Sequence, residues 1–224
     1  MTIFIQYLCM ETIILASSSP RRKEILRSLS LPFTILHPDI DESVCDHLAP
    51  EHRVVALAEK KALAGMAMLE RETDTGAAVP ERDKKPRLLL SADTLVAFNR
   101  SGKWKTIGKP ADRAEAKAML AYMAGKTHTV FSGLCLLDLE SGIRHTACSS
   151  TKVRFAPMSE REIEGYLDTE EWRGAAGAYR VQGCGSCFIE AMKGSWSCVV
   201  GLPIRELYGI LIDADYDFGA TGRT

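Results

Sequence analysis

Along the chain, short runs of apolar residues alternate with segments in which apolar residues recur at helical spacing. Residues 12–16 (TIILA) form a short apolar run that predicts a buried strand, and residues 34–37 predict a second one. The segment between them predicts a helix with Ser19 as its cap and Pro20 at its first position. Residues 50–69 repeat apolar positions at helical spacing, which predicts a longer helix.

The same pattern continues through the second half of the chain. Residues 87–99 (RLLLSADTLVAFN) predict a strand with a polar break at SAD. Two capping boxes, Asp112 with Glu115 and Ser159 with Glu162, predict helix starts. The remaining predicted elements are paired strands at 128–137 and 149–155, strand-like segments at 187–192 (CFIEAM) and 197–201 (SCVVG), and a helix from about Pro203.

Helices intermixed with strands of antiparallel appearance predict a mixed α/β fold. We assign residues 12–212 to one two-lobed domain, which suits a chain of 224 residues. Residues 1–11 are interpreted as an N-terminal extension, of which residues 1–9 are either disordered or a start-site artefact. Residues 213–224 are interpreted as a C-terminal tail that is frayed from Asp215. A polar stretch rich in glycine, proline and charge at about 71–86 is expected to be a surface loop.

Composition narrows the functional classes. The chain is 46% hydrophobic and 25% charged with a net charge of -1, which is typical of a globular protein and lacks the basic excess of a nucleic-acid binder. No segment resembles a signal peptide or a membrane span, so we expect no membrane partner. The seven cysteines are an odd number in mostly apolar surroundings, which favours reduced thiols and a cytoplasmic location. The Cys184–Cys187 pair is more typical of a glycine-rich loop than of a redox or metal site.

Several short segments carry candidate chemistry. Residues 17–22 (SSSPRR) place serines and arginines at a helix start, where backbone N–H groups favour anions; a capped helix with solvated arginines is the alternative. Asp93 follows a buried run, where an ionised carboxylate is costly unless it has partners or a function. Lys60 and Lys61 lie in an apolar-faced helix and Lys109 lies between glycine and proline; each is also compatible with a solvated surface. In residues 176–183 (AGAYRVQG), we expect Tyr179 and Gln182 to contact a base or sugar, with an ordinary turn as the alternative.

In this order, the segments resemble the Maf family of nucleotide pyrophosphatases over about residues 12 to 212. The matching segments are ILASSSPRRKEIL, LAEKKAL, LLSADTLV, GKPADRAEA, MAGKTHTVFSGL, TKVRF, EIEGYL, AGAYRVQG and VVGLPI. The resemblance implies a strongly twisted mixed sheet flanked by helices around a central cleft, similar to the inosine-triphosphate pyrophosphatase fold. It also implies cleavage of a nucleoside triphosphate between its α- and β-phosphates with a divalent cation, Mg or Mn.

Residue roles follow from the same resemblance. Asp93 matches the proton acceptor or a metal ligand, and Glu42 matches a polar position of the cleft that is a further candidate metal ligand. The matching phosphate-binding positions are Ser17, Arg21, Arg22, Lys61 and Lys109. Arg21, Thr94 and Gln182 match the specificity positions of the branch that acts on dTTP and UTP, whereas the 7-methyl-GTP branch has tryptophan and glutamate in place of the arginine and the glutamine.

The chain departs from the family at one segment. The family often has DKAGAY where this chain has GAAGAY, so Gly174 and Ala175 replace an aspartate and a lysine, and Arg173 is a candidate substitute for the lost cation. Two other functions remain as alternatives: a non-catalytic nucleotide-binding regulator, since the family is associated with septum formation, and a nucleic-acid-binding module, against which the neutral net charge argues. The sequence is compatible with a homodimer and does not fix the oligomeric state.

Overall fold

The structure is a computed structural model that describes residues 10–74 and 86–218. Among these residues, one-turn 3-10 helices lie at Ser43–Cys45, Ala176–Ala178 and Cys184–Phe188. The regular elements in chain order are β1 (Ile13–Ala16), α1 (Pro20–Ser28), β2 (Phe33–Leu36), α2 (Pro50–Asp74), β3 (Leu88–Arg100), β4 (Lys103–Ile107), α3 (Arg113–Met123), β5 (Thr127–Asp138), β6 (Arg144–Phe155), α4 (Glu160–Leu167), β7 (Ile189–Lys193), α5 (Trp196–Val200) and α6 (Ile204–Asp213).

The strands of the described region form one mixed sheet. Its order is β2-β1-β3-β5-β6-β7, and β4 is an additional neighbour of β3. β1 runs parallel to β2 and β3, whereas the pairs β3–β4, β3–β5, β5–β6 and β6–β7 are antiparallel. The mixed α/β fold that the sequence predicts is therefore confirmed.

One side of β3 is only partly covered by other strands. β1 pairs with its first residues, up to Leu90, and β4 begins to pair at Val96. β5 covers the opposite side of β3 without interruption through this region. Within the described part of the chain, residues 91–95 of β3 therefore lie in a gap between β1 and β4, and Asp93 and Thr94 lie in this gap.

Successive residues of β3 face opposite sides of the sheet, as strand geometry requires. Leu88 and Leu90 belong to the larger core cluster, which includes residues of α1, α3 and α6, while Leu89 packs with Ala58 and Ala62 of α2. Both sides of the strand are thus buried by helices. This explains why the run LLLS has no polar alternation.

Helix α2 lies unusually close to the sheet at Gly133 of β5. A Cβ atom at this position would lie 2.5 Å from the backbone C and O atoms of Val54. Glycine is therefore required for the helix backbone to contact the strand backbone. Gly133 also pairs directly with Asp93 on the neighbouring strand, so the close approach occurs beside the gap in the sheet.

Two predictions about the strands were wrong, and one strand was not predicted. β3 is continuous through SAD, because the hydroxyl of Ser91 donates to the carbonyl of Ala58 in α2 (2.6 Å) and its polarity does not interrupt the strand. β4 was not predicted, since its sequence KWKTI is mostly exposed and has no apolar run. The segment SCVVG forms most of α5 and not a strand, and Gly201 follows the last helical residue as the C-cap with φ 111°.

The observed helix starts agree better with the sequence-based predictions than the strands do. Ser159 and Glu162 form the predicted capping box. Asp112 caps α3 through the backbone of Glu115, although the Glu115 carboxylate accepts from Ala111. Ser19 is the N-cap residue of α1, with Pro20 following, but its side chain makes no capping hydrogen bond.

Parts of the predicted extension and tail are packed against the domain. Arg87 bridges Asp138, Glu11 and the carbonyl of Ala214, and the hydroxyl of Tyr216 donates to the Glu11 carbonyl (2.7 Å). The predicted fraying from Asp215 is therefore not seen at Tyr216 and Phe218, whose rings also pack against each other. Residues 1–9, 75–85 and 219–224, which include most of the predicted loop, lie outside the described residues. Over the described residues, no helix has both the length and the apolar character needed to cross a membrane.

Candidate active site

A cleft of about 510 Å³ opens at the gap along β3. The sheet contributes Asp93 and Thr94, and the segment after β1 contributes the residues 17–22. All nine sequence-predicted site residues line this cleft: Ser17, Arg21, Arg22, Glu42, Lys61, Asp93, Thr94, Lys109 and Gln182. The fold thus brings together residues from six separate segments of the chain.

Arg22 is fixed by three hydrogen bonds, because the first turn of α1 directs its side chain into the cleft. Its Nε donates to the carbonyl oxygen of Gly201 (2.9 Å), and its Nη1 and Nη2 donate to the hydroxyls of Ser17 (3.0 Å) and Thr94 (3.2 Å). Burial lowers the pKa of Arg22, the charge of Asp93 raises it, and the net pKa is below the ordinary value. A guanidinium held in this way is pre-positioned for an anion.

The hydroxyl of Thr94 is already engaged in the protein. It contacts Arg22 and lies 2.9 Å from the Ser132 hydroxyl, which in turn donates to the carbonyl of Cys198 (2.8 Å). Thr94 therefore connects Arg22 to β5 and α5. Ser132 was not among the predicted site residues, although it lies in the matching segment MAGKTHTVFSGL.

Asp93 and Glu42 share the ammonium group of Lys61. The Lys61 Nζ lies 2.6 Å from Asp93 Oδ1 and 2.7 Å from Glu42 Oε1. The side chains of Lys61 and Asp93 are only 15% and 10% exposed, whereas that of Glu42 is 50% exposed. The buried pair therefore lies at the floor of the cleft, and the second carboxylate lies at its entrance.

The two carboxylates have opposite pKa shifts. Burial raises the pKa of Asp93, and the nearby charges of Lys61 and Arg22 offset this only in part. Burial also raises the pKa of Glu42, but the hydrogen bond with Lys61 and the charges of Lys61, Lys109 and Arg22 together leave it lowered. A carboxylate with a raised pKa accepts a proton more readily, which suits a general base.

A second basic group lines the same cleft. Arg21, Arg173 and Arg180 all line it, and the pKa of Arg21 is lowered by burial and then by the charge of Arg180. The Arg180 Nη2 donates to the carbonyl of Arg173 (2.9 Å), while its buried Nε has no partner among the described residues. Arg180 stands within AGAYRVQG beside Gln182, but no role was predicted for it, since a single arginine in a loop has no distinctive pattern.

The hydroxyl of Tyr179 is not available to a ligand. It lies 2.9 Å from the Nε2 of buried His128, and its ring packs against Phe155. Tyr179 nevertheless lines the cleft, so its expected contact with a base or sugar stays a prediction for the ring, while its hydroxyl anchors the loop to the core. The same loop is tied to the Lys109 segment, since the N–H of Gly177 donates to the carbonyl of Gly108 (2.9 Å).

The remaining candidates lie away from the cleft lining. Lys60 is exposed on the solvent side of α2, as the alternative interpretation predicted. Cys184 and Cys187 are exposed free thiols in a one-turn helix. Across residues 10–74 and 86–218, no three His, Cys, Asp or Glu side chains are arranged to hold a metal ion. Asp93 and Glu42 nevertheless both contact the ammonium group of Lys61, so their carboxylates lie close enough together to hold a metal ion jointly with substrate oxygens.

Comparison with known proteins identifies relatives of nearly the same length. A dTTP/UTP pyrophosphatase of Treponema denticola is 41% identical over 210 residues, which cover 92% of this chain and 98% of that protein. Proteins of the same name from Moorella thermoacetica and Pelotomaculum thermopropionicum are 40% and 38% identical, covering 90% and 93% of this chain and 94% and 99% of their own lengths.

A solved structure of a nucleoside-triphosphatase / dITP/XTP pyrophosphatase from Mycobacterium abscessus matches with a TM-score of 0.33 and 15% identity, covering 66% of this chain and 75% of that one. A match at this level adds nothing to the account of the site. The family model described as Maf-like protein matches residues 12–214, which is most of the chain. Together with the relatives that match over nearly their full length, this confirms the resemblance seen in the sequence: the chain belongs to the Maf family.

Proposed function

We propose that this protein is a nucleoside-triphosphate pyrophosphatase that hydrolyses dTTP and UTP to the monophosphate and pyrophosphate. One observation carries the proposal: a buried carboxylate, Asp93, lies in one cleft with Arg22, Lys61 and Lys109. A triphosphate has nearly four negative charges, and attack on its α-phosphorus requires that these charges be screened. The names of the relatives from Treponema denticola and Moorella thermoacetica support the same activity.

Each residue has a role in this reaction. Arg22, with its donors already oriented, and Lys61 and Lys109 bind phosphate oxygens and hold the α-phosphorus in place. Asp93 accepts a proton from the attacking water, and its raised pKa suits that role. The new bond forms between the water oxygen and the α-phosphorus while the bond to the bridging oxygen breaks, so that pyrophosphate leaves.

The residues also fit a divalent cation, Mg or Mn. Asp93 and Glu42 would hold the ion together with phosphate oxygens, since Mg is commonly bound by one or two carboxylates and the substrate. When bound, such an ion neutralises phosphate charge and lowers the pKa of a coordinated water. The carboxylate pair around Lys61 is the observation that supports this assignment.

Base selection is assigned to Arg21 and Gln182. Both residues line the cleft and offer donors to the carbonyl oxygens of a pyrimidine, while Thr94 acts through Arg22. We also propose a cytoplasmic location, because the cysteines in the described ranges are free thiols.

The test is a panel of dTTP, UTP, ATP, GTP and 7-methyl-GTP with Mg or Mn, in which pyrophosphate and orthophosphate are measured separately. We expect pyrophosphate from dTTP and UTP and no turnover by Asp93→Asn. Direct release of orthophosphate would contradict the reaction. A preference for 7-methyl-GTP would contradict the substrate assignment alone, and tight binding without turnover would favour a nucleotide-binding regulator.

A further inference from the structure

Lys61 occupies the position between the two carboxylates that would hold a metal ion. Its Nζ is in contact with both Asp93 and Glu42, at 2.6 Å and 2.7 Å. The two carboxylates and the ammonium group therefore form a cluster with one net negative charge. In this arrangement the lysine acts as a counter-ion that is part of the protein.

The ammonium group and a divalent ion cannot share this position. A metal bound by Asp93 and Glu42 would lie about 2.0–2.1 Å from their oxygens. Two like charges at such close range in a poorly solvated cleft repel strongly. A metal ion can therefore enter between the carboxylates only when Lys61 moves away.

The cleft also determines what can draw Lys61 away. Arg22 and Lys109 line it with Lys61, and although Asp39 also lines it, Asp93 and Glu42 are the only carboxylates among the described residues that pair with the ammonium group. A phosphate chain in the cleft supplies acceptor oxygens for that group. The lysine has a flexible four-carbon stem and can turn from carboxylate to phosphate without movement of α2.

We propose that Lys61 couples metal binding to nucleotide binding: it closes the carboxylate pair in the empty cleft, and the nucleotide opens the pair by taking over the ammonium group. This inference rests on the proposed function and adds an order to it. Without a triphosphate, the protein should bind divalent ions weakly. With one, the freed carboxylates and the phosphate oxygens form the metal site together, and reciprocity requires that the metal tighten nucleotide binding equally.

The test measures Mn²⁺ binding to the full chain by electron paramagnetic resonance of free Mn²⁺ at pH 8, with no nucleotide present. In Lys61→Met, which removes the charge but keeps the length of the side chain, we expect Mn²⁺ affinity to rise on the order of tenfold or more, since a contacting positive charge is gone. Lys61→Arg keeps the charge and should bind as weakly as the wild type. Lys60→Met, an exposed neighbour in α2, is the matched control and should show no change.

A second measurement tests the coupling itself. A UTP analogue with a non-hydrolysable α,β-imido bridge should raise the Mn²⁺ affinity of the wild type, after subtraction of the Mn²⁺ that the analogue binds without protein, and it should raise that of Lys61→Met by a smaller factor. Unchanged or weaker Mn²⁺ binding in Lys61→Met would overturn the proposal, as would equal increases in Lys61→Arg or Lys60→Met. Circular dichroism confirms that each variant is folded. Because no hydrolysis is measured, failure here leaves the pyrophosphatase assay as a separate test.

Discussion

Replacing Gly133 with alanine tests how closely α2 must lie against the sheet. The new Cβ atom would lie 2.5 Å from backbone atoms of Val54, whereas non-bonded carbon atoms prefer about 3.5–4.0 Å. Because the contacted atoms belong to backbone, no side chain can rotate to make room. The helix must therefore move away from β5 by about 1 Å.

The displacement affects both stability and catalysis. Overpacking of this kind costs about 1–3 kcal/mol, and for a domain of this size each kcal/mol lowers Tm by about 2–4 °C. Lys61 lies on the same helix, two turns beyond Val54, and its contact with Asp93 is 2.6 Å long. A displacement of about 1 Å in an active site costs on the order of a hundredfold in rate.

The assay combines thermal melts with kcat/KM for dTTP. Gly209→Ala serves as the control, because Gly209 lies within α6 and a Cβ there meets no atom within 4 Å. This control should raise stability by about 0.5–1 kcal/mol and leave the kinetics unchanged. If Gly133→Ala melts at the wild-type temperature with wild-type kcat/KM, the helix does not hold Lys61 in the way described.

Three further predictions concern single side chains. Asp93→Asn should lower kcat/KM at least about a hundredfold without lowering Tm, because burial raises the pKa of Asp93 and its ionised form costs stability at neutral pH; a near-normal rate would assign the base to Glu42. Arg22→Ala should lower kcat/KM by roughly ten- to a hundredfold, because a charge-assisted contact is lost. Arg22→Lys should not restore the rate, since lysine cannot replace the three directed donors of the guanidinium. Full rescue by lysine would show that charge alone matters. Burial lowers the pKa of His128 to about 4, so the unfolded chain takes up a proton below about pH 6.5 that the native state excludes. The stability that the neutral imidazole contributes is therefore lost as pH falls from about 6.5 to about 4. Melts of His128→Gln across that range should show a smaller fall in Tm than the wild type, and an equal fall would exclude this residue as the cause.

Features of the fold that depend on residues close together in the sequence could be predicted from the sequence. The capping box of Ser159 and Glu162 is local, and α2 shows a long apolar face, so both were found. β4 and α5 were missed because tertiary contacts decide them: β4 pairs along the edge of β3, and α5 forms although valine and cysteine favour strands.

The site divides in the same way. The family resemblance supplied nine of the residues that line the cleft, because the motifs hold their order along the chain. The contacts among them could not be predicted, since they depend on distances between segments far apart in sequence. The gap in the sheet beside Asp93, the sharing of Lys61 by two carboxylates and the approach of Arg180 to Arg21 are all of this kind.

The hydrogen bond from Arg22 to the Gly201 carbonyl has a consequence for the growing chain. The two residues are separated by 179 positions, and a ribosome adding ~5–20 residues per second needs roughly 9 to 36 s to make that stretch. Throughout that interval the arginine has no partner at residue 201, and the part of the cleft that Arg22 lines is incomplete. If the cleft binds nucleotide as proposed, nucleotide can stabilise only chains in which the cleft is complete, because a ligand stabilises the state that binds it. A nascent chain stalled before residue 201 gains no such protection and is left to chaperones and proteases.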